Sequence, residues 1–435
     1  VAVGPAVAKE PKYKADVPAS IMTPDTVETE RLGTLKFFDG MPDKETVQKV
    51  YDNSDFSRGV EAFLSGMPAA SLYAICSGFE KAGIPAHTVG VSEELLDARS
   101  LLLTPNSTTV YVMTCLDLKQ GPVVMEVAPG LLGGVNDAFF RWVTDIGVTG
   151  PDQGRGGRYL FVPPHYDDPI PTMGFHVIRT KTNRHWLFAR AFVGEAGIEA
   201  AVAGVKAGMK VYLLSEAKNP PEETFVNFSG MKMNTIHAND ATYYDELNAV
   251  VQNEPADAFN PEIAGLFAAI GIKKGQTFAP DERMKKILSD AAAVGNATAR
   301  ALLFRPRDKE VYFYPDRQWY SPFAGGSHEF INNGALVLDD RAMFHYVATG
   351  ITPAMAAPQV DTGSVYAGAS QDSKGNYLDG SRTYKITLPA PVPAKNFWSF
   401  VVYSTQHRSM LETDQKLAGL DSTQPAVKPN EDGSY

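Results

Sequence analysis

The chain has 435 residues, of which 44% are hydrophobic and 21% are charged, and its formal net charge is −10. This length and apolar content exclude a small disulfide-framed protein and a disordered one, and they allow two globular domains. The acidic balance argues against a nucleic-acid partner, because phosphate binding needs clustered Lys and Arg and no basic run here exceeds a pair. No stretch of eighteen apolar residues occurs, so we expect no membrane span.

The chain contains two cysteines, Cys76 and Cys115. A framework of several disulfides is thereby excluded. Two buried free thiols are the favoured interpretation, and a single bridge is the alternative. The chain opens with Val, and Ala6 to Ala8 precede a polar extended stretch, which is typical of a processed secretory N-terminus and also of a shortened chain. We expect export, to the periplasm or outside the cell.

The first half of the chain predicts an arm, a helical cap and a series of strands. Residues 1–40 contain proline and show little periodicity, which is typical of an arm. From Asp43, a candidate N-cap, apolar residues recur at helical spacing, and Pro68 begins a second helical segment that ends near Gly83. Segments rich in β-branched and aromatic residues, separated by Gly, Pro or Asp, then predict strands at Thr108–Cys115, Val123–Val127, Tyr159–Val162, Phe175–Arg179 and Trp186–Val193.

A helix at Ile198–Met209 and a strand at Lys210–Leu214 complete this region. Residues 220–304 turn helical again, and the acidic start at Asp281 marks one helix. Strand patterns return at Val311–Tyr314, Tyr384–Leu388 and Trp398–Tyr403. The whole predicts an α+β, mainly β protein with antiparallel sandwiches or barrels. We expect a homo-oligomer, because large sandwiches must protect their edges.

Two sets of motifs resemble a known bacterial pair of domains of unknown function. Leu103–Asn106, Asp145–Asp152 and Gly156–Leu160 are similar to the N-terminal member, numbered twelve fifty-four. Tyr314–Arg317, Gly350–Met355 and Gln406–Leu411 are similar to its C-terminal partner, numbered twelve fourteen. The resemblance covers nearly the whole chain. It implies two jelly-roll-like antiparallel β-sandwiches with helical insertions, frequent export, and mostly no assigned activity.

With the resemblance, the predicted organisation is an arm (1–40), a helical cap with a β-sandwich (41–219), a helical bridge (220–304) and a C-terminal β-sandwich (305–435). Members of the pair usually continue through at least one more strand where this chain ends. We therefore expect the C-terminal domain of the protein to extend beyond Tyr435.

Polar and aromatic side chains follow two of the predicted strands. Arg can grip a carboxylate or phosphate with two donors, and Trp offers a stacking face. We predict that Arg408, Gln406, Arg317 and Trp319 bind a ligand, together with Asn106 and Tyr111 of the N-terminal half, and that His407 or Asp145 transfers protons. The alternative is structural, in which Arg317 and Arg408 pair with acidic residues such as Asp361 or Asp414.

Local catalytic and metal motifs are missing from the sequence. The eight His residues form no H-x-H, H-x-x-x-H or H-E-x-x-H pattern, and no G-x-S-x-G elbow occurs. His328 and His407 are the candidates for a metal assembled from distant segments, with a structural role favoured for both. We therefore predict no metal ligand from the sequence, which also identifies no cofactor.

These observations lead to one hypothesis and two alternatives. The hypothesis is an exported protein that binds a small anionic or carbohydrate-like ligand near the domain junction, with hydrolysis as the candidate reaction. The first alternative is a shell-forming or surface interaction protein without turnover. The second is a metal-dependent enzyme whose ligands come from distant segments. The sequence does not decide whether the protein is an enzyme.

Overall fold

The computed structural model describes residues 12–323, 326–357 and 364–435, and the chain divides into two compact units, residues 1–57 and 58–435. In the first unit an antiparallel sheet is formed by β1 (Thr26–Thr29), β2 (Gly33–Phe38) and β3 (Met41–Pro42). The helix α1 (Lys44–Lys81) begins there. Its predicted cap is confirmed, because the Asp43 carboxylate accepts the backbone N–H of Thr46 at 2.8 Å.

The helix α1 runs without a break through Pro68, although the sequence predicts two segments. Proline inside a helix costs about 3 kcal/mol through its missing N–H and its ring. Met67, Ala69 and Ala70, which flank it, are each at most 1% exposed, so burial offsets that cost.

An 18-residue window of α1 has a mean hydropathy of 1.3. By length and composition, the helix could therefore cross a membrane. In the same window 78% of the residues are buried inside the protein, as in the core helix of a globular domain. Length and composition alone are weak evidence for a membrane span.

Two sheets dominate residues 87–234. One has six strands in the order β14-β4-β6-β12-β8-β9, and the other has four in the order β11-β10-β7-β13. Most neighbours are antiparallel, but β14 with β4 and β10 with β11 are parallel. The elements in chain order are β4 (Val89–Val91), β5 (Ser100–Leu101), β6 (Thr109–Asp117), β7 (Val123–Val127), β8 (Leu131–Asp137), β9 (Trp142–Gly147), β10 (Gly157–Val162), β11 (His176–Arg179), β12 (Arg184–Phe192), α2 (Gly197–Gly208), β13 (Lys210–Leu213), β14 (Phe225–Asn227) and β15 (Met233–Asn234).

The two sheets and α2 share one hydrophobic core. Alternate residues of the central strand β12, such as Leu187 and Ala189, face this core together with Tyr159 and Phe161 of the four-stranded sheet. Trp186 and Phe188, on the other face of β12, belong to a second core that includes part of α1. The strand period of two therefore gives the six-stranded sheet two buried faces. The predicted strands and the helix of this region are confirmed.

A helical region follows, and it shares a third core with α1. Its helices are α3 (Tyr243–Asn253), α4 (Pro261–Ala269), α5 (Glu282–Phe304), α6 (Leu338–Val347) and α7 (Pro353–Ala356). The predicted start of α5 is confirmed, because the Asp281 carboxylate accepts the backbone N–H of Met284 at 2.7 Å. The helix α6 packs against α5. It carries the buried residues His345 and Tyr346.

The C-terminal region has short strands in the residues described: β16 (Ile331–Asn332), β17 (Ala335–Leu336), β18 (Ser399–Val401) and β19 (Gly419–Asp421). The predicted strand at Tyr384–Leu388 is wrong, and Val311–Tyr314 forms only the single bridge Tyr312–Tyr320. Phe313 and Tyr314 are 46% and 50% exposed, so their apolar pattern does not reflect a buried sheet face. The α+β class is confirmed, whereas the jelly-roll arrangement is not, and the domain boundaries stay a prediction.

Cys76 of α1 and Cys115 of β6 form a disulfide, with their Cα atoms 5.8 Å apart. The favoured prediction of two free thiols is therefore wrong, and the single bridge is correct. The pairing depends on α1 lying against the second face of the six-stranded sheet, which local sequence patterns do not report.

Candidate functional site

The loop after β18 meets the loop before β6. The Arg408 carbonyl accepts the backbone N–H of Thr104 at 2.9 Å, and the Tyr403 hydroxyl donates to the Pro105 carbonyl at 2.9 Å. The Ser409 hydroxyl donates to the Ser100 carbonyl at 3.3 Å. Two motifs that carry the family resemblance, one from each half of the chain, are thus joined directly.

Within this loop Arg408 has a left-handed backbone, with φ = 59°. Its N–H donates to the Ser404 carbonyl at 2.8 Å, and Tyr403 forms a bridge with Met410, which closes the turn. A left-handed non-glycine residue costs on the order of 1–2 kcal/mol. The turn directs the Arg408 side chain inward, where the residue is only 2% exposed.

The Arg408 guanidinium is held by neutral groups. Its Nε donates to the Tyr346 carbonyl and its Nη1 to the Gln406 carbonyl, both at 3.0 Å. The guanidinium carbon lies 4.0 Å from the centre of the Tyr346 ring. Its Nη2 has no hydrogen-bond partner among the described residues. Burial lowers the pKa of Arg408, yet an arginine keeps its charge at any physiological pH.

Two buried histidines lie near Tyr346, one by ring contact and one as its neighbour on α6. The His237 ring is centred 6.1 Å from the Tyr346 ring, and His345 precedes Tyr346 on α6. Burial, with the nearby Arg408 charge, lowers the pKa of His237 to about 4. Burial lowers the pKa of His345 to about 3, and the charge of Arg341 acts in the same direction.

The groups around α6 leave several buried polar atoms without partners among the described residues. They are Nη2 of Arg408, Nε of Arg341, Nε2 of His237 and of His345, and Oδ1 of Asn239. Each such atom costs about 1–3 kcal/mol when it is left unpaired. We call Arg408, Arg341, His237, His345 and Tyr346 the Arg408 cluster. Since buried polar atoms in native proteins are nearly always hydrogen-bonded, these atoms call for a polar partner such as water, an ion or a ligand.

The other predicted residues of the C-terminal half lie outside this cluster. Gln406 has an exposed side chain and contributes its carbonyl, while Nδ1 of His407 accepts the Ser409 N–H at 3.3 Å. Arg317 is exposed, with its Nε 3.9 Å from Asp316 and its guanidinium over the Tyr314 ring. Trp319 packs near Phe400, with ring centres 6.3 Å apart. Their predicted ligand contacts stay predictions. Of the suggested acidic partners, Asp361 lies outside the described residues and Asp414 is exposed.

Asn106 and Tyr111 support the local backbone. The Asn106 amide oxygen accepts the N–H groups of Thr108 and Thr109 at 3.0 and 3.1 Å. The Tyr111 hydroxyl accepts the Asn106 N–H at 2.9 Å. These contacts hold the turn before β6, which is a structural role alongside the predicted ligand contact.

Asp145 lies on β9, opposite Gly134 of β8. Its Oδ1 accepts the indole N–H of Trp142 at 2.8 Å, and the His328 ring is centred 5.6 Å from the Trp142 ring. Burial raises the pKa of Asp145 despite this hydrogen bond. A carboxyl group with a raised pKa suits proton transfer, so the predicted role of Asp145 stays open.

The described residues of the second unit form surface pockets, two of which have ionisable groups in their lining. One of about 370 Å³ is lined by residues such as Lys119, Pro164 and His165. The other, of about 270 Å³, is lined by residues such as Ser77, Lys81 and Glu246, and burial raises the pKa of Glu246 to about 7. Among the described residues no three His, Cys, Asp or Glu side chains are grouped to hold a metal ion.

Sequence reasoning identified Arg408 and missed its neighbours. His237, His345 and Arg408 lie more than sixty positions apart along the chain and share no motif. Arg341 and His345 have helical i, i+4 spacing, but that pattern is common on ordinary helix surfaces. The burial of several polar side chains around α6 is visible only in the folded chain.

The fold and the site together define an α+β protein in which a two-sheet N-terminal region meets a C-terminal region at a buried arginine. Residues 87–213 match the family model described as protein of unknown function DUF1254, and residues 363–435 match the one described as protein of unknown function DUF1214. The predicted family resemblance is thereby confirmed.

A crystal structure of the VPA0106 protein from Vibrio parahaemolyticus, a structural genomics target, has a similar fold. It is 17% identical, with a TM-score of 0.53, over 88% of this chain and 87% of that one. No curated protein sequence matches the chain.

Proposed function

We propose that this protein binds a small anionic ligand at the Arg408 cluster, near the junction of its two family domains. The observation that carries the proposal is the Arg408 guanidinium, which is 2% exposed and keeps one donor unused. Its contacts are two carbonyls, the Tyr346 hydroxyl and the Tyr346 ring, and no carboxylate among the described residues pairs with it.

Charge supports an anion as the ligand. A buried, unpaired charge costs several kcal/mol, and neutral acceptors offset only part of that cost. The Arg300 guanidinium adds a second positive charge nearby, because its Nη1 donates to the same Tyr346 hydroxyl at 3.3 Å. A carboxylate or phosphate supplies both the missing charge and the acceptor for Nη2.

A pair of matched substitutions tests the proposal. Arg408→Lys keeps the positive charge but loses the planar set of guanidinium N–H donors. We expect it to weaken binding of a carboxylate or of inorganic phosphate at least tenfold, as measured by calorimetry. Arg382→Lys is the control at an exposed arginine with no predicted ligand contact, and we expect wild-type affinity. The proposal is wrong if neither anion binds the wild type saturably, or if Arg408→Lys binds like the wild type while its circular dichroism shows a folded protein.

Native mass spectrometry of the protein as purified is the complementary measurement, because one spectrum reports the oligomer state and any bound small molecule. An anionic adduct lost in Arg408→Lys supports the proposal. A bare, closed assembly instead favours the shell-forming alternative. Export, homo-oligomer formation, hydrolysis through Asp145 or His407, and the jelly-roll arrangement are further proposals that rest on the sequence and the family resemblance.

A further inference from the structure

The hydrogen bonds of His237 determine which of its ring nitrogens carries the proton. Its Nδ1 lies 2.9 Å from the Ala238 carbonyl, which can only accept a hydrogen bond. Nδ1 therefore carries the proton, and in the neutral ring Nε2 presents a lone pair. His345 has the same arrangement, with its Nδ1 2.9 Å from the Arg341 carbonyl.

The cluster consequently offers a donor and an acceptor of different character. Arg408 Nη2 needs an acceptor, preferably charged, and His237 Nε2 needs a donor. Both residues are 2% exposed; the Arg408 guanidinium carbon lies 4.0 Å and the His237 ring centre 6.1 Å from the centre of the Tyr346 ring. An anion without a proton to donate supplies the acceptor for Arg408 but leaves the His237 lone pair without a donor.

We infer that the ligand is a small hydroxycarboxylate, with its carboxylate on Arg408 Nη2 and its hydroxyl donating to His237 Nε2. This inference rests on the proposed anion binding at the same site. An α-hydroxy acid carries the carboxylate and the hydroxyl on neighbouring carbons. The class includes sugar acids, which are both anionic and carbohydrate-like, as the sequence predicts for the ligand.

Other groups near His237 are consistent with this assignment. Tyr243 presents its ring at 5.9 Å, but its hydroxyl donates to the Phe63 carbonyl and is engaged. The Glu246 carboxylate accepts the Ala238 N–H at 3.0 Å. It thereby holds Ala238, whose carbonyl accepts the hydrogen bond from His237 Nδ1. None of these contacts supplies a donor to Nε2.

The experiment compares lactate with propionate, which has the same carbon skeleton without the hydroxyl. We expect the wild type to bind lactate at least tenfold more tightly, because a site built to pair a hydroxyl rejects the analogue that lacks it. In His237→Leu the two affinities should become equal, and His237→Gln, whose amide oxygen can accept, should restore part of the preference.

The outcomes distinguish the hydroxycarboxylate inference from the anion proposal. If lactate and propionate bind the wild type equally, the hydroxycarboxylate inference is wrong and the anion proposal stands. If neither binds, the hydroxycarboxylate inference is wrong, and if inorganic phosphate also fails to bind, the anion proposal is wrong as well. If the His237 variants do not fold, the wild type alone tests the inference by 15N NMR. Lactate, but not propionate, should shift the resonance of one histidine nitrogen that bears a lone pair. The absence of such a shift would overturn the inference.

Discussion

Glu246 lies in the wall of the smaller cavity with its carboxylate only partly hydrated. Its Oε2 accepts the Ala238 N–H, and burial raises the pKa of the side chain to about 7. In the unfolded chain the same group ionises at its ordinary, lower pKa. Between these two values the folded protein keeps a proton that the unfolded chain releases, so this residue makes the protein less stable as the pH rises.

Glu246→Gln removes this titration and keeps an oxygen for the Ala238 N–H. We expect the free energy of unfolding of the variant, relative to the wild type, to rise by about 1–3 kcal/mol from pH 4.5 to pH 8, by urea denaturation. Glu262→Gln, the same substitution at an exposed position of α4, is the control and should show no such trend. A constant difference at both pH values would contradict the assignment.

At the scale of elements, one covalent bond joins a helix to a strand. The disulfide links α1 to β6 across 39 positions of sequence, within the core that also contains Trp186 and Phe140. Such a link stabilises chiefly by restricting the unfolded chain, and the effect grows slowly with the length of the loop it closes.

Cys76→Ala with Cys115→Ala should lower the free energy of unfolding by about 3–4 kcal/mol, given the loop length. Each single variant also breaks the bond and should lose a similar amount, which serves as the internal control. Urea denaturation of all three proteins gives the comparison. A double variant as stable as the wild type would contradict a stabilising role of this disulfide.

At the scale of the whole molecule, a side chain of the N-terminal sheet holds a segment of the C-terminal region. Asn136 of β8 is fully buried; its Nδ2 donates to the Ile351 carbonyl at 2.8 Å, and its Oδ1 accepts the Ile351 N–H at 2.9 Å. Gly350 and Thr352, on either side, pack closely on Phe188 and Gly134. The amide thus acts as a strand partner for a residue that is not in a strand.

Asn136→Ala leaves both backbone groups of Ile351 buried and unpaired. We expect a loss of about 2–4 kcal/mol in the free energy of unfolding and faster hydrogen exchange at the Ile351 amide. Asn376→Ala, in an exposed turn, is the control and should change stability by less than about 0.5 kcal/mol. Unchanged exchange at Ile351 in Asn136→Ala would refute the role of this contact.

The elements of the first three hundred residues follow largely from sequence patterns. Segments rich in β-branched and aromatic residues between turn residues identified β6 and β12, and an acidic cap followed by helical spacing identified the start of α5, because both signals depend on residues close together in the chain. After Arg305 the same reasoning wrongly predicted a strand at Val311–Tyr314, where Phe313 and Tyr314 are exposed. Aromatic content indicates a strand only where a neighbouring strand pairs with the segment.

The sequence by itself determined the α+β class, the paired family domains, and Arg408 as a candidate ligand residue. Only the tertiary structure decided that Cys76 pairs with Cys115 and that His237 and His345 join Arg408 around α6. The physical reason is that helix and strand preferences are local, whereas the burial and pairing of a polar side chain depend on residues brought close only when the chain folds.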